Sequence, residues 1–263
     1  MMEVFDIPYP DVPQKTGYLI DISSYLRHAG VLFSALWLYL LSGRQPKTKR
    51  QIIYEILGST LLLLMVNESL LRGPIMNAIG SGSYAWLFFF THQLLPDIFY
   101  YLAIALAVIV INRHIVKSWK KIAAVLFATG LLLSVVMPLG WQSTGFLLTF
   151  VAPPIIGPQP NGASLLIPAY LTYIEAALAC FVIAWLTWPK LAKTSPYPIA
   201  LFSSLIMLLT HRFFELFIYP FYASLPPSIA LLSIGQFSLE GMVLGLLTAL
   251  LVRHLYHSKT QIA

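Results

Sequence analysis

Apolar residues in this chain run in long unbroken stretches separated by short polar connections, with little of the alternation that marks a half-buried strand. Seven stretches approach the ~20 residues that a helix needs to cross hydrocarbon. They cover approximately 25–43, 52–71, 84–112, 122–141, 165–188, 197–220 and 228–252. Each predicts a helix, because lipid offers backbone N–H and C=O groups no outside partner and a helix satisfies them within one segment. The third stretch is longer than a bilayer requires and contains Pro96, which predicts a tilt or a kink. No soluble insertion or internal repeat interrupts the series. Residues 25–252 therefore read as one seven-span domain, flanked by an N-terminal tail (1–24) and a C-terminal tail (253–263). The predicted fold is all-α: a polytopic, multi-pass integral membrane protein built as a seven-helix transmembrane bundle.

Composition strengthens this picture. The chain is 58% hydrophobic and only 10% charged, against about 25% charged residues in soluble domains. A net charge of +6 would point to nucleic acid in a soluble protein. Here the basic residues sit on short connections and report topology, so no nucleic-acid partner is expected. Arg44, Lys47, Lys49 and Arg50 mark the first connection, and Arg113, Lys117, Lys120 and Lys121 the third. Lys190 and Lys193 mark the fifth, and Arg253 and Lys259 the C-terminal tail. The alternate connections carry Arg72 alone. By the positive-inside rule this predicts the N-terminus outside and the C-terminus inside, in a plasma or inner membrane. Residues 1–24 carry Glu3, Asp6, Asp11 and Asp21 and lack a continuous apolar core, so they do not read as a signal peptide. The single Cys180 excludes an intrachain disulfide and a CxxC motif.

Against this apolar background, His211-Arg212-Phe-Phe-Glu215 brings three ionisable side chains into five residues of a predicted span. Each costs roughly 2.5–3.5 kcal/mol at the centre of a membrane helix unless it is partnered. The predicted orientation places these residues in the outer half of the bilayer. Arg27 and His28, Glu68, His92 and Asp97 fall in the same half on other spans. Three histidines beside carboxylates suit a site for copper, another metal or haem, with His92 and His211 as core ligands, His28 as a third, and Asp97 and Glu215 as orienting carboxylates. The same residues, with Glu68 and Arg212, also suit an interhelical polar network that fixes register, or a water-filled pocket for a solute. Arg27-His28 equally suits an interfacial anchor. Glu175 and Glu240, near mid-depth on the fifth and seventh spans, form either a carboxylate pair for proton transfer or two separate hydrogen-bond donors. The uncharged stretch from Gln142 to Ser164, with Pro153, Pro154, Pro158 and Pro160, reads as interfacial, re-entrant or partner-binding chain. A retinal Schiff base is excluded by the lack of lysine in the seventh span. No nucleophile elbow, phosphate loop or dinucleotide fingerprint occurs, and no catalytic residue is assigned.

Two short segments resemble the CtaG-type cytochrome c oxidase assembly proteins, seven-span proteins linked to copper delivery. One is Phe88-Phe-Phe-Thr-His92-Gln93-Leu-Leu-Pro96, where that family tends to carry a His-x-x-Gln-His run. The other is Gln236-Phe-Ser-Leu-Glu240-Gly241, where it tends to carry an Asp-Gln…Gly element. The second histidine of the first motif is absent, and Gly235 stands where the acidic residue would be. The resemblance covers about thirty residues and the span order, and it implies a ligand role for His92 only. Three functions are therefore expected in this order. The first is a membrane accessory or assembly subunit of a respiratory or other metalloenzyme complex, working with other membrane subunits and lipid. The second is a transporter or channel with a polar path through the outer-half cluster. The third is a membrane enzyme acting on a lipophilic substrate through Glu175 and Glu240.

Overall fold

A computed structural model describes residues 18–80, 86–151, 167–168, 170–223 and 226–262. Most of the tail 1–24 and most of the proline-rich stretch 142–164 lie outside the described residues. The fold is all-helical: 88% is helix, with no strand among the described residues. The helices are α1 (Tyr18–Ser42), α2 (Lys49–Val66), α3 (Arg72–Gly80), α4 (Trp86–His114), α5 (Ser118–Leu148), α6 (Ile174–Thr194), α7 (Pro198–Leu209), α8 (Arg212–Tyr222) and α9 (Pro227–Ile262).

Over most of their described residues, all seven apolar stretches are helical. Four helices are long and apolar enough to cross a membrane: α4, α5, α6 extended back to Tyr170, and α9 over Pro227–Ser258. A fifth crossing results if α7 and α8, bent by 60° at their junction, count as one broken span. These helices fit an integral membrane protein. The stretches at 25–43 and 52–71 form α1 and α2 without joining that set. α1 is diluted by Asp21, Arg27 and His28, and α2 by Lys49, Arg50 and Glu55. α5 continues to Leu148, well into the stretch expected to be irregular.

The chain divides into two compact units. A terminal unit combines Met1–Gly43 with Ala184–Ala263, and a central unit spans Arg44–Ile183.

In the central unit, α2 and α5 both pack on α4, whose inner face buries Tyr100, Tyr101, Ile104 and Val108. Two prolines shape its long helices. Pro96 has no N–H, and its ring would collide with the carbonyl four residues back, that of His92. The helix widens there into a five-residue π turn, Phe90–Leu94. Pro138 does the same to α5, where the wide turn is Leu132–Val136. Widening absorbs the lost hydrogen bond without breaking the rod. α5 meets α4 at Gly140, where a Cβ would make ordinary contact with Pro96 Cα at 3.5 Å.

In the terminal unit, α7 and α8 pack against both α1 and α9. Apolar side chains such as Phe202, Ile206, Tyr219 and Ile234 fill the core, and small residues and hydroxyls add close contacts. Ser34 Oγ donates to the Leu205 carbonyl at 2.5 Å, and Ser203 Oγ to the Met242 carbonyl at 2.8 Å. A Cβ on Gly245 would stand 2.8 Å from Ser203 Cα, so only glycine permits this approach of α9 to α7. Gly245→Ala should therefore lower stability by about 1–3 kcal/mol. Gly58→Ala, in mid-α2 with nothing within 4 Å of the new methyl, should raise it by about 1 kcal/mol. Denaturant unfolding in detergent checks the opposite signs, and equal effects would contradict the α7–α9 contact.

Candidate functional site

Two helices break at the same kind of residue. Glu68 (φ 58°) follows α2 and His211 (φ 64°) separates α7 from α8; no other described non-glycine residue has a positive φ. At the second break, Thr210 closes α7. Its N–H donates to the Ile206 carbonyl at 2.9 Å and its hydroxyl to the same oxygen at 3.0 Å. The next residue must turn left-handed to release the chain, a position that normally falls to glycine. Here it is His211, at a steric cost of roughly 1–2 kcal/mol. Backbone outliers of this kind cluster at sites where the side chain is needed.

The surroundings of His211 are polar and come from three helices of the terminal unit. His28 on α1, 4% exposed, sets its ring edgewise against that of His211, with centroids 5.2 Å apart and planes at 77°. Beside it, Arg27 Nη1 donates to Glu215 Oε1 at 2.6 Å. Arg212 is held more loosely: its Nη1 lies 3.9 Å from Glu215 Oε2, and its guanidinium sits 4.8 Å above the Phe237 ring of α9. Ser238 Oγ donates to the Arg212 carbonyl at 3.3 Å, tying the first turn of α8 to α9. Gly30 keeps α1 close, for a Cβ there would stand 2.9 Å from the Phe214 ring. Two guanidiniums thus face one carboxylate beside two imidazoles, at the N-terminal end of α8. Such a place favours negative charge.

The break at Glu68 is sealed differently. Glu175 of α6, 2% exposed, accepts the N–H of Leu71 on one carboxylate oxygen and that of Arg72 on the other, each at 2.9 Å. It thereby supplies the N-terminal cap of α3 from a distant part of the chain. Arg72 pairs with Glu68 and lies 5.3 Å above the Tyr173 ring. Asp97 of α4 approaches Ser69, whose hydroxyl donates to the Asn67 carbonyl at 3.4 Å. Further along α3, Gly73 leaves room for the Gln93 amide, which also accepts from the Asn77 side chain.

The outer-half set expected from sequence is therefore divided. His28, His211, Arg212 and Glu215 come together in the terminal unit. Glu68 and Asp97 join the polar turn of the central unit. His92 belongs to that unit too, exposed on the π turn, 5.8 Å from the Phe88 ring and 5.7 Å from that of Trp141. Glu175 is occupied by backbone N–H groups of the central unit, whereas Glu240 is exposed on α9 of the terminal unit. Among the described residues, no three His, Cys, Asp or Glu side chains converge as they would around a metal ion. Sequence reading passed over Arg72, Tyr173 and Phe237. Only Arg72 left a signal there, standing four residues after Glu68. Compared with protein families, characterised proteins and solved structures, the chain shows no match.

Two outcomes follow from this geometry. His211→Gly relieves the left-handed backbone and His211→Ala does not, though both delete the ring. The glycine variant should be the more stable by about 1 kcal/mol in denaturant unfolding, and the reverse order would contradict the break. Glu175→Ala strands two backbone N–H groups and should cost about 3 kcal/mol. Glu175→Gln, which keeps one acceptor oxygen, should cost clearly less in the same measurement.

Proposed function

We propose that the chain is a seven-span integral membrane protein, N-terminus outside and C-terminus inside, that carries a small anionic solute at the break between α7 and α8. The observation that supports this reading is the broken helix itself, with His211 left-handed among Arg27, His28, Arg212 and Glu215. Irregular backbone at membrane depth is tolerated where protein encloses it or where it lines a polar cavity. Transporters place substrate sites at such half-helix ends, with N-termini aimed at anionic groups. Here Arg27 is committed to Glu215 at 2.6 Å, while the 3.9 Å contact leaves Arg212 the more exchangeable cation. An incoming carboxylate or phosphate competes for Arg212 without having to break the Arg27 pair, and the His28 and His211 rings offer further hydrogen-bonding nitrogens.

A second reading keeps the protein as an accessory or assembly subunit of a respiratory or other metalloenzyme complex. Two observations favour it. The adjacent His28 and His211 rings can supply two nitrogens to copper. α5 has only 17% of its apolar window buried, against 44% for α4, 44% for α6 and 39% for α9, which leaves a face for a partner subunit.

One preparation separates the two. Purified full-length protein is assayed for metal and haem, then reconstituted into liposomes and tested for uptake of radiolabelled chloride, phosphate, acetate and succinate. The carrier reading expects uptake of at least one anion by metal-free protein. Arg212→Gln should slow that uptake at least tenfold, since charged hydrogen bonds contribute about 1.5–3 kcal/mol. Stoichiometric metal that is lost in His28→Ala and His211→Ala, with no uptake of any of the four anions, would instead support the subunit reading.

A further inference from the structure

A second site opens at the other end of α9, away from the residues at the α7–α8 break. A cavity of about 1000 Å³ lies where the C-terminal ends of α6 and α9 meet the start of α7, all within the terminal unit. That volume is at the upper end of the ~300–1,000 Å³ typical of small-molecule sites. Its wall carries Lys193, Arg253 and His257 together with Trp188, Tyr197 and Tyr256. No carboxylate stands among the described lining residues, so Lys193 and Arg253 give this wall a net positive character.

The wall is fixed in place. Tyr256 donates its hydroxyl to the Trp185 carbonyl at 3.2 Å and packs its ring 4.8 Å from that of Trp185. Lys190, one turn before Lys193, donates to the Leu40 carbonyl at 2.8 Å. These contacts hold α9 and α1 to α6, so the cavity is a feature of packed helices and not of a loop.

The shape of α9 identifies the occupant. Leu239, Val243, Leu246 and Leu250 are exposed and recur at helical spacing along one face. That apolar stripe runs up to Arg253 and His257, and Leu246 belongs both to the stripe and to the cavity wall. Trp188 and Tyr197 add the aromatic residues that favour the membrane–water boundary. An apolar track ending in a basic, aromatic-rimmed pocket complements a molecule with an acyl chain and a phosphate head. Free phosphate explains the basic residues but not the track. Basic pockets between membrane helices are known receivers of anionic lipid headgroups.

We propose that this cavity binds the headgroup of an anionic phospholipid, with its phosphate among Lys193, Arg253 and His257 and an acyl chain along Leu250 and Leu246 of α9. The site is independent of the solute or metal chemistry at the α7–α8 break.

The test uses the full-length protein in neutral detergent. Retained lipid is measured by native mass spectrometry during titration with phosphatidylglycerol, phosphatidylcholine or inorganic phosphate. Phosphatidylglycerol should bind in preference to phosphatidylcholine. Lys193→Gln/Arg253→Gln should weaken it about thirtyfold, a factor of about five for each basic contact removed. Arg44→Gln/Lys47→Gln, at basic residues that do not line the cavity, should leave the affinity unchanged. Millimolar phosphate should fail to displace the lipid. Equal retention of the two lipids, equal loss in both double variants, or displacement by phosphate alone would each overturn the proposal. Circular dichroism and the unfolding midpoint confirm that the variants remain folded. Leu250→Asn, on an exposed position, gives a second reading that does not touch the charge: it should weaken the diacyl lipid while leaving glycerol phosphate binding unchanged.

Discussion

A helix interrupted inside hydrocarbon must find a partner for every N–H and C=O that the interruption releases, because lipid supplies none. Among the described residues, helices end in a left-handed residue at Glu68, after α2, and at His211, after α7, and polar side chains gather at both points. At the first, the Glu175 carboxylate takes two backbone N–H groups at once. At the second, Thr210 turns its own hydroxyl back onto α7, and Ser238 binds the Arg212 carbonyl from α9. The ion pairs follow from the same constraint. Glu68 and His211 are placed by the breaks, and Arg72, Arg27 and Arg212 cluster around the carboxylates gathered there.

The two breaks share a plan but differ in what they leave over. In the central unit, the Arg72 guanidinium pairs with Glu68, and the backbone N–H groups of Leu71 and Arg72 occupy both oxygens of Glu175. In the terminal unit, two arginines share one carboxylate, and one of them sits at 3.9 Å. The second joint is therefore the less completely paired of the two at its arginines, beside two imidazoles.

The helices were legible from the hydropathy pattern, because the rule that makes them is local: each backbone group is satisfied within a few residues. His211-Arg212-Phe-Phe-Glu215 was legible as a polar cluster for a related reason, being costly wherever it points. The division of the ionisable residues between two units was not legible. His92 and His211 fall at matching depth by charge counting, but depth says nothing about rotation around the bundle or about which helices are neighbours. The breaks were also hidden. Thr210-His211 carries no Gly or Pro to announce a left-handed turn, and Asn67-Glu68-Ser69 announces only polarity. Pro96 did predict a disturbance in α4, but a π turn and a kink follow from the same lost hydrogen bond, and the proline alone does not choose between them. The role of Glu175 was missed because its partners are backbone N–H groups more than a hundred residues away, which no side-chain pattern encodes.

The choice of residue at the break carries a further consequence. Glycine at position 211 would turn the chain at little steric cost, so the imidazole is not there to make the turn. What the imidazole adds is its place: it meets the His28 ring edgewise, beside the Arg27–Glu215 pair, and an edgewise ring pair contributes about 0.5–1.5 kcal/mol. The same reasoning explains why Arg27 sits one residue before His28. Its pairing with Glu215 anchors α1 to the first turn of α8, and that anchor is what holds the two rings in register across the break.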